Sequence, residues 1–183
     1  MDPAVKVAAL NRGGGRLLSR GRRVEAVNCF TKALDLLNDF GLEDENIRAA
    51  LENNLGHLLN SLEKREDALS CFTRARDCYK RAGDPVNAAR QEANRGSVYR
   101  DMERLSEALP CYASALSVFL KAGADADAAD QHANIAYILA LSGDSPGAYR
   151  HYRKALSLYR KTGQHERAAL VEQNLAAFGV ISQ

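Results

Sequence analysis

The sequence has little that points to chemistry or to a membrane. It has no Gly-rich phosphate loop continuing into Lys-Ser or Lys-Thr, no His-Glu-x-x-His and no Cys-x-x-Cys, which are signatures of nucleotide, zinc and redox sites. It has no apolar run near the roughly 20 residues that cross a bilayer, and no apolar N-terminal core typical of a signal peptide. We therefore expect a cytoplasmic chain without catalytic activity, cofactor or metal site.

The charge is nearly balanced, with 25 basic and 23 acidic residues and a formal net charge of +2. A net charge this small does not favour binding to nucleic acid or to an anionic membrane. The N-terminal segment is the exception, because six basic residues there face only Asp2 and Glu25. The six are Lys6, Arg12, Arg16, Arg20, Arg22 and Arg23. We favour a solvated basic face over a binding patch for this segment.

One spaced set of small and aromatic residues occurs four times, at intervals of 42, 40 and 40 residues. In each copy an Ala is followed four residues later by an aromatic residue and three residues after that by a second Ala. A small residue lies twelve positions before the first Ala, and a Gly closes the copy. The first Ala residues are Ala26, Ala68, Ala108 and Ala148; the small residues are Gly14, Gly56, Gly96 and Ala136; the closing residues are Gly41, Gly83, Gly123 and Gly163.

A fixed period of this size indicates stacked supersecondary units. Apolar residues at helical spacing predict two helices per unit, and a small residue on one helix lets the aromatic of the other approach closely. We predict a single domain over residues 1–183, an all-α array of four helix-turn-helix units with a C-terminal capping helix. The units are about 3–41, 45–83, 85–123 and 125–163, and the cap is about 165–179. The paired helices are near 3–20 and 23–40, 45–62 and 66–82, 86–102 and 106–122, and 125–142 and 145–162.

The spacing of small residue, Ala and aromatic resembles the tetratricopeptide repeat over nearly the whole chain. The period is about 40 rather than 34 residues, and the bulky residue expected early in the first helix is polar at Glu52, Glu92 and His132. This longer form, with Asn-Leu-Gly at 54–56, is similar to the repeats of Pins-type spindle-orientation adaptors and kinesin light chains. The resemblance implies a right-handed superhelical solenoid with a concave groove lined by the first helix of each unit.

The resemblance also places a set of mostly polar residues on the groove. Asn side chains there suit the backbone of an extended peptide, and Arg90 and Arg100 would favour its carboxylates. The residues are Asn11, Arg12, Gly15, Asn53, Asn54, His57, Asn60, Arg90, Asn94, Ser97, Arg100, Asp130, Asn134, Tyr137 and Asn174. The implied function is a non-catalytic, monomeric adaptor that binds a short, acidic segment of another protein.

Three alternatives remain open at this point. The Asn residues could bond helix to helix within the scaffold. The chain could self-assemble as a structural scaffold through the array ends or the convex face. The carboxylate clamp of chaperone-binding tetratricopeptide domains is less favoured, because only two of its five positions fit in kind. Those positions are Asn11, Gly15, Asn54, Arg90 and Asn94.

Three Cys and one His share one place in the repeat, immediately before the aromatic residue: Cys29, Cys71, Cys111 and His151. Zinc ligands lie about 2.0 to 2.3 Å from the metal, whereas packed helices are about 8 to 10 Å apart. We therefore interpret all four as packing residues. Within the first helix, Gly13, Gly14 and Gly15 each weaken helical structure by about 0.8 to 1 kcal/mol relative to Ala, so this helix is expected to be the least stable.

Overall fold

The computed structural model describes residues 2–181 of the chain, with side chains described up to residue 176. This part contains helices and no strand. The helices are α1 (Pro3–Ser19), α2 (Arg23–Asp39), α3 (Glu45–Ser61), α4 (Arg65–Arg81), α5 (Pro85–Asp101), α6 (Leu105–Ala122), α7 (Asp125–Leu141), α8 (Ser145–Lys161) and α9 (His165–Ile181). The predicted all-α repeat fold is confirmed. Every predicted helix end lies within two residues of the observed one.

The eight turns between helices share one hydrogen-bond pattern. Each helix closes with a backbone N–H donated to the carbonyl five residues earlier, as from Arg22 to Leu17 and from Lys64 to Leu59, and all eight of these bonds measure 2.9 Å. The residue before the donor has a positive φ, which is the left-handed conformation of a Schellman cap. Each helix end therefore satisfies its own last carbonyls within a short local segment.

The chain divides into two compact units, one up to Val98 and the other from Tyr99 onward. The division falls inside α5, and the prediction of a single domain stays a prediction.

In unit 1, α1 packs on α2, α2 on α3 and α3 on α4. The predicted contact between small and aromatic residues is present here. A Cβ built on Gly14 would lie 2.6 Å from Phe30 Cε1, and one on Gly56 would lie 2.8 Å from Phe72 Cε1. Both rings are fully buried. A Gly at these places lets the aromatic ring of the second helix lie directly against the backbone of the first.

In unit 2, α6 packs on α7, α7 on α8 and α8 on α9. The core of α7, α8 and α9 contains Ala136, Tyr152, Tyr159 and Val171. Here the small residue is Ala136 and not Gly, and the aromatic is Tyr152 and not Phe. The last helix buries Val171 against this core, as expected of a cap.

Candidate peptide-binding faces

Four Asn side chains of unit 1 form a continuous chain of contacts across the first helices, which we call the amide row. Asn94 Nδ2 donates to Asn53 Oδ1, Asn53 Nδ2 to Asn54 Oδ1, and Asn54 Nδ2 to Asn11 Oδ1, each at 3.4 Å. All four residues are half-buried. The row links α5, α3 and α1. Hydrogen bonding between helices is the alternative role for these Asn residues that remained open from the sequence.

The contacts in the amide row are long. Most N–H to O bonds are near 2.9 to 3.0 Å, so bonds of 3.4 Å are weak and can be exchanged at small cost. Both ends are also open. Among the described residues, none donates to Asn94 Oδ1 and none accepts from Asn11 Nδ2. The row therefore offers an acceptor at one end and donors at the other.

His57 lies at the side of the row nearest Asn94. Its ring makes an edge contact with the Phe72 ring, with centroids 5.0 Å apart, and Asn94 Nδ2 lies 3.5 Å from His57 Nε2. Asn94 also donates to Gln91 Oε1 at 3.2 Å. Partial burial lowers the pKa of His57, so the ring is neutral at pH 7 and offers one donor and one acceptor.

The other predicted site residues of unit 1 have different surroundings. Arg90 is exposed, and its Nη1 donates to Asn87 Oδ1 at 2.9 Å. Ser97 Oγ donates to the Ala93 carbonyl of its own helix at 3.2 Å. Asn60 Oδ1 is buried without a described partner. Arg12 and Gly15 are exposed on α1.

The predicted residues of unit 2 do not form a comparable row. Arg100 Nη1 contacts Asn134 Oδ1 at 3.4 Å, and Arg100 is ion-paired with Asp101 at 2.9 Å. Asp130 accepts from the Tyr159 hydroxyl at 2.7 Å and from Arg167 at 2.5 Å. The predicted groove carboxylate is thus tied to α8 and α9.

Tyr137 is 47% exposed and gives unit 2 an aromatic surface on α7. Asn174 on α9 is half-buried.

A polar layer between first and second helices was not predicted from the sequence. Glu52 is only 5% exposed and accepts from Arg74 Nε and Nη2 at 2.7 and 2.9 Å. Glu92 accepts from Arg76 at 3.0 Å and from Arg95 at 2.9 Å. The polar residues that stand where the repeat usually has a bulky side chain therefore bond to neighbouring helices. Their departure from the repeat pattern was the available signal.

In unit 2 the corresponding polar contact between first and second helices is made by two histidines. His132 is 5% exposed, and its Nδ1 lies 3.0 Å from Nδ1 of His151. Burial, the neighbouring His151 and Lys154 lower the pKa of His132 to about 4. With one ring donating and the other accepting, the two neutral imidazoles satisfy each other.

The Cys residues are free thiols, and Cys71, Cys78 and Cys111 are buried. Burial and the nearby Glu52 raise the pKa of Cys71 to about 12, so this thiol stays protonated. Within the described residues, no group of three or more His, Cys, Asp or Glu side chains is placed to hold a metal ion.

The sequence contains one pattern that resembles a catalytic motif. Residues 143–147 read Gly-Asp-Ser-Pro-Gly, which matches the Gly-x-Ser-x-Gly of a nucleophile elbow. That elbow requires a strand before the Ser and a helix after it. Here Ser145 follows helix α7 and begins α8, and Asp144 Oδ1 caps α8 by accepting from the Gly147 N–H at 2.9 Å. The pattern is a helix cap.

The family comparison decides what kind of helical repeat this is. The family model "Soluble NSF attachment protein, SNAP" matches residues 62–182, about two thirds of the chain. The chain belongs to the SNAP family. The match begins just after α3 and runs through α9, so the family signature of this SNAP-family chain lies outside α1, α2 and α3.

Solved structures agree on the fold of this SNAP-family chain. The apo form of RapI superposes with a TM-score of 0.90 at 15% identity, over 100% of this chain and 50% of RapI. BtubC (BKLC) from P. vanneervenii superposes at 0.73 with 14% identity, over 99% and 84%. MamA superposes at 0.69 with 20% identity, over 86% and 81%. The chain spans about half the length of RapI. The predicted tetratricopeptide-type repeat is consistent with all three.

A comparison with curated protein sequences finds no match for this SNAP-family chain. None of the described helices combines the length and apolar composition that a bilayer-crossing segment needs.

Proposed function

We propose that this SNAP-family chain is a non-catalytic adaptor that binds an extended segment of another protein on the unit 1 face. The observation that carries the proposal is the amide row. Its 3.4 Å contacts are weak enough to be exchanged for bonds to a ligand. An extended peptide presents N–H and C=O groups in alternation, and an Asn amide pairs with both.

The open ends of the row support the same proposal. Asn94 Oδ1 is an acceptor for a peptide N–H, and Asn11 Nδ2 is a donor for a peptide carbonyl. His57 and Arg90 border the row and add side-chain contacts. Binding through the peptide backbone would place few demands on the peptide sequence, as suits an adaptor.

The test is a selection of twelve-residue peptides by display on the full chain, followed by affinity measurement on the best peptide. We expect Asn54→Ala with Asn94→Ala to raise Kd at least tenfold, because both variants remove backbone partners. Asn28→Ala is the matched control, since Asn28 is an exposed Asn on the second helix α2. Its Kd should stay within twofold of wild type. Circular dichroism confirms that each variant is folded.

A backbone-modified peptide separates this mechanism from side-chain recognition. N-methylation removes peptide N–H donors without changing any side chain, so it should weaken binding to wild type strongly. An unchanged Kd in both the Asn double variant and the N-methylated peptide would overturn the proposal. Light scattering tests the remaining alternative, because a stable oligomer without peptide binding would favour a self-assembling scaffold.

A further inference from the structure

Helix α1 carries positive charge that its surroundings leave uncompensated. Residues 3–19 contain no Asp or Glu, and Arg12, Arg16 and the C-cap residue Arg20 are all exposed. None of these three forms an ion pair with a described residue. By contrast, the nearby Arg22 is ion-paired with Glu25.

The direction of the amide row adds to this charge. Every Asn of the row donates toward α1, from Asn94 through Asn53 and Asn54 to Asn11. The row therefore ends on α1 with the Nδ2 donors of Asn11, next to Arg12. The free Nδ2 donors of Asn11 can donate to an acceptor such as a carboxylate oxygen.

The repeat places Arg12 at the end of the same face. Arg12 lies two residues before Gly14, just as Asn54 lies two residues before Gly56 and Asn94 two before Gly96. Arg16 follows four residues later on the helix and is exposed, whereas its equivalents in the next two copies, Leu58 and Val98, are buried. Between them Gly15 is exposed, and a Cβ at Gly15 would meet no atom within 4 Å. A ligand can approach the helix backbone closely between the two guanidinium groups.

The two Arg residues predicted to select carboxylates are less available. Arg100 is paired with Asp101 at 2.9 Å, and a ligand carboxylate would compete with that pair. Arg90 donates to Asn87 Oδ1. Arg90 is exposed but has the Asp84 carboxylate nearby, whereas Arg12 and Arg16 form no ion pair with a described residue.

We propose that an acidic stretch of the bound peptide lies over α1, with its carboxylates held by Arg12 and Arg16 and by the Asn11 amide. This inference rests on the proposed function, because the amide row must hold the peptide backbone on the same face. Guanidinium groups form paired, charge-assisted bonds with carboxylates. The peptide is thereby given a direction, with its acidic residues at the α1 end.

The test uses two fluorescein-labelled peptides of twelve residues, one repeating Glu-Ser-Glu-Ala and the other with every Glu replaced by Gln. Binding to the full chain is measured by anisotropy from 50 to 300 mM salt. We expect the Glu peptide to bind at least tenfold more tightly than the Gln peptide. Arg12→Gln with Arg16→Gln should remove most of this difference and most of the salt dependence, since screening acts on exposed charge pairs.

The matched control is Arg23→Gln with Lys32→Gln, which removes the same charge from exposed positions on the second helix α2. Its Kd for the Glu peptide should stay within threefold of wild type. Asn11→Asp provides a second readout, because it replaces the terminal donors by a carboxylate and should weaken the Glu peptide by a larger factor than the Gln peptide.

Three results would overturn the inference while leaving the proposed function intact. They are equal binding of both peptides, a loss confined to the Arg23 and Lys32 variant, and no binding of either peptide when the display-selected peptide still binds. Failure of the display-selected peptide to depend on Asn54 and Asn94 would instead overturn the proposed function.

Discussion

The α3–α4 pair of unit 1 and the α7–α8 pair of unit 2 occupy matching places two repeats apart, yet they bury different polar groups. In unit 1 the buried contact is a carboxylate and a guanidinium, Glu52 and Arg74. In unit 2 it is two imidazoles, His132 and His151. Glu52 and His132 are equally buried, at 5% exposure. The repeat thus specifies where a polar group is buried and leaves its chemistry variable.

The small-to-aromatic contact differs in the same way. Unit 1 uses Gly14 and Gly56 against Phe rings, whereas unit 2 places Ala136 in one core with Tyr152. The chemistry of each unit should therefore determine how it responds to substitution and to acid.

The largest expected effect is from Arg74→Ala. This change leaves the buried Glu52 carboxylate without its partner, and we expect the free energy of unfolding to fall by about 2 kcal/mol. That value is below the 3–5 kcal/mol of a fully buried pair, because Arg74 is half exposed. Urea unfolding of the full chain measures the loss.

The matched control in unit 2 is Lys154→Ala, at the position equivalent to Arg74. Lys154 is exposed and faces no buried carboxylate, so the expected change is below about 0.5 kcal/mol. Adding Glu52→Leu to Arg74→Ala should restore much of the stability, since an apolar side chain needs no ionic partner. Equal losses at Arg74 and Lys154 would remove the distinction between the units.

The second prediction concerns the three adjacent Gly residues of α1. A methyl group on Gly14 would lie 2.6 Å from Phe30 Cε1, and overpacking of this kind costs about 1–3 kcal/mol. We expect Gly14→Ala to destabilise the chain by about 1 kcal/mol after the gain in helix propensity. Gly13→Ala and Gly15→Ala meet no atom within 4 Å and should each stabilise by up to about 1 kcal/mol. Thermal melts of the three variants would show whether Gly14 alone behaves differently.

The third prediction is a loss of stability in unit 2 on acidification. Because the pKa of His132 is lowered to about 4, the folded chain binds fewer protons than the unfolded chain as pH falls below about 6.5. The stability present above that pH is lost as pH falls toward 4. Burial, Lys154 and Arg150 lower the pKa of His151 as well, and only Asp144 opposes them.

We compare wild type with the double variant His132→Leu, His151→Leu. Between pH 7 and pH 5 the melting temperature of wild type should fall by about 3 °C more than that of the variant. In a chain of this size, that shift corresponds to about 1 kcal/mol. His165→Gln is the control, since His165 is exposed. Hydrogen exchange should show the acid-induced opening in α7 and α8 and a smaller change in α3 and α4. Uniform opening of all four helices would contradict the assignment to the histidine pair.

The smallest expected effect is at the turn within each pair. Glu63 lies two residues after the end of α3 with φ 62°, and Gly143 lies two residues after the end of α7 with φ 83°. A non-Gly residue in this region costs about 1–2 kcal/mol, and the lower entropy of the unfolded chain offsets about 0.4–1 kcal/mol of that cost, so Gly143→Glu should destabilise by about 0.5 kcal/mol. Glu63→Gly should stabilise by a similar amount, because both contributions then change sign. Chemical denaturation of both variants measures the difference, and a destabilising Glu63→Gly would mean that Glu63 makes a contact beyond its turn.

Much of the fold could be predicted because its signals are local and repeated. A closing Gly marks the end of each second helix, and the Ala and aromatic spacing fixes which face of each helix is buried. The contact of Gly56 with Phe72 follows from their places in the repeat alone. These features need no knowledge of the wider structure, so helix bounds were accurate to within two residues.

The partners of buried polar groups could not be predicted in the same way. Glu52 and Arg74 lie on different helices, and their pairing depends on how two long side chains meet across a helix contact. The Asn positions of the amide row followed from the repeat, but the 3.4 Å contact between Asn53 and Asn94 depends on how closely the side chains of two helices approach. The Gly-x-Ser-x-Gly pattern around Ser145 could not be interpreted from the sequence alone. It is a helix cap and not a nucleophile elbow because a helix, and not a strand, precedes it.

The uniform turns have a consequence for how such a chain changes over generations. Each of the eight turns is closed by a backbone hydrogen bond spanning five residues. The residues that determine each turn therefore lie within the same short segment of sequence. A tandem duplication or deletion cut at equivalent places, such as Gly83 and Gly123, would join one helix to the next through the same turn. The array can thus gain or lose whole modules by a single genetic event, while point substitutions alter each module's surface independently.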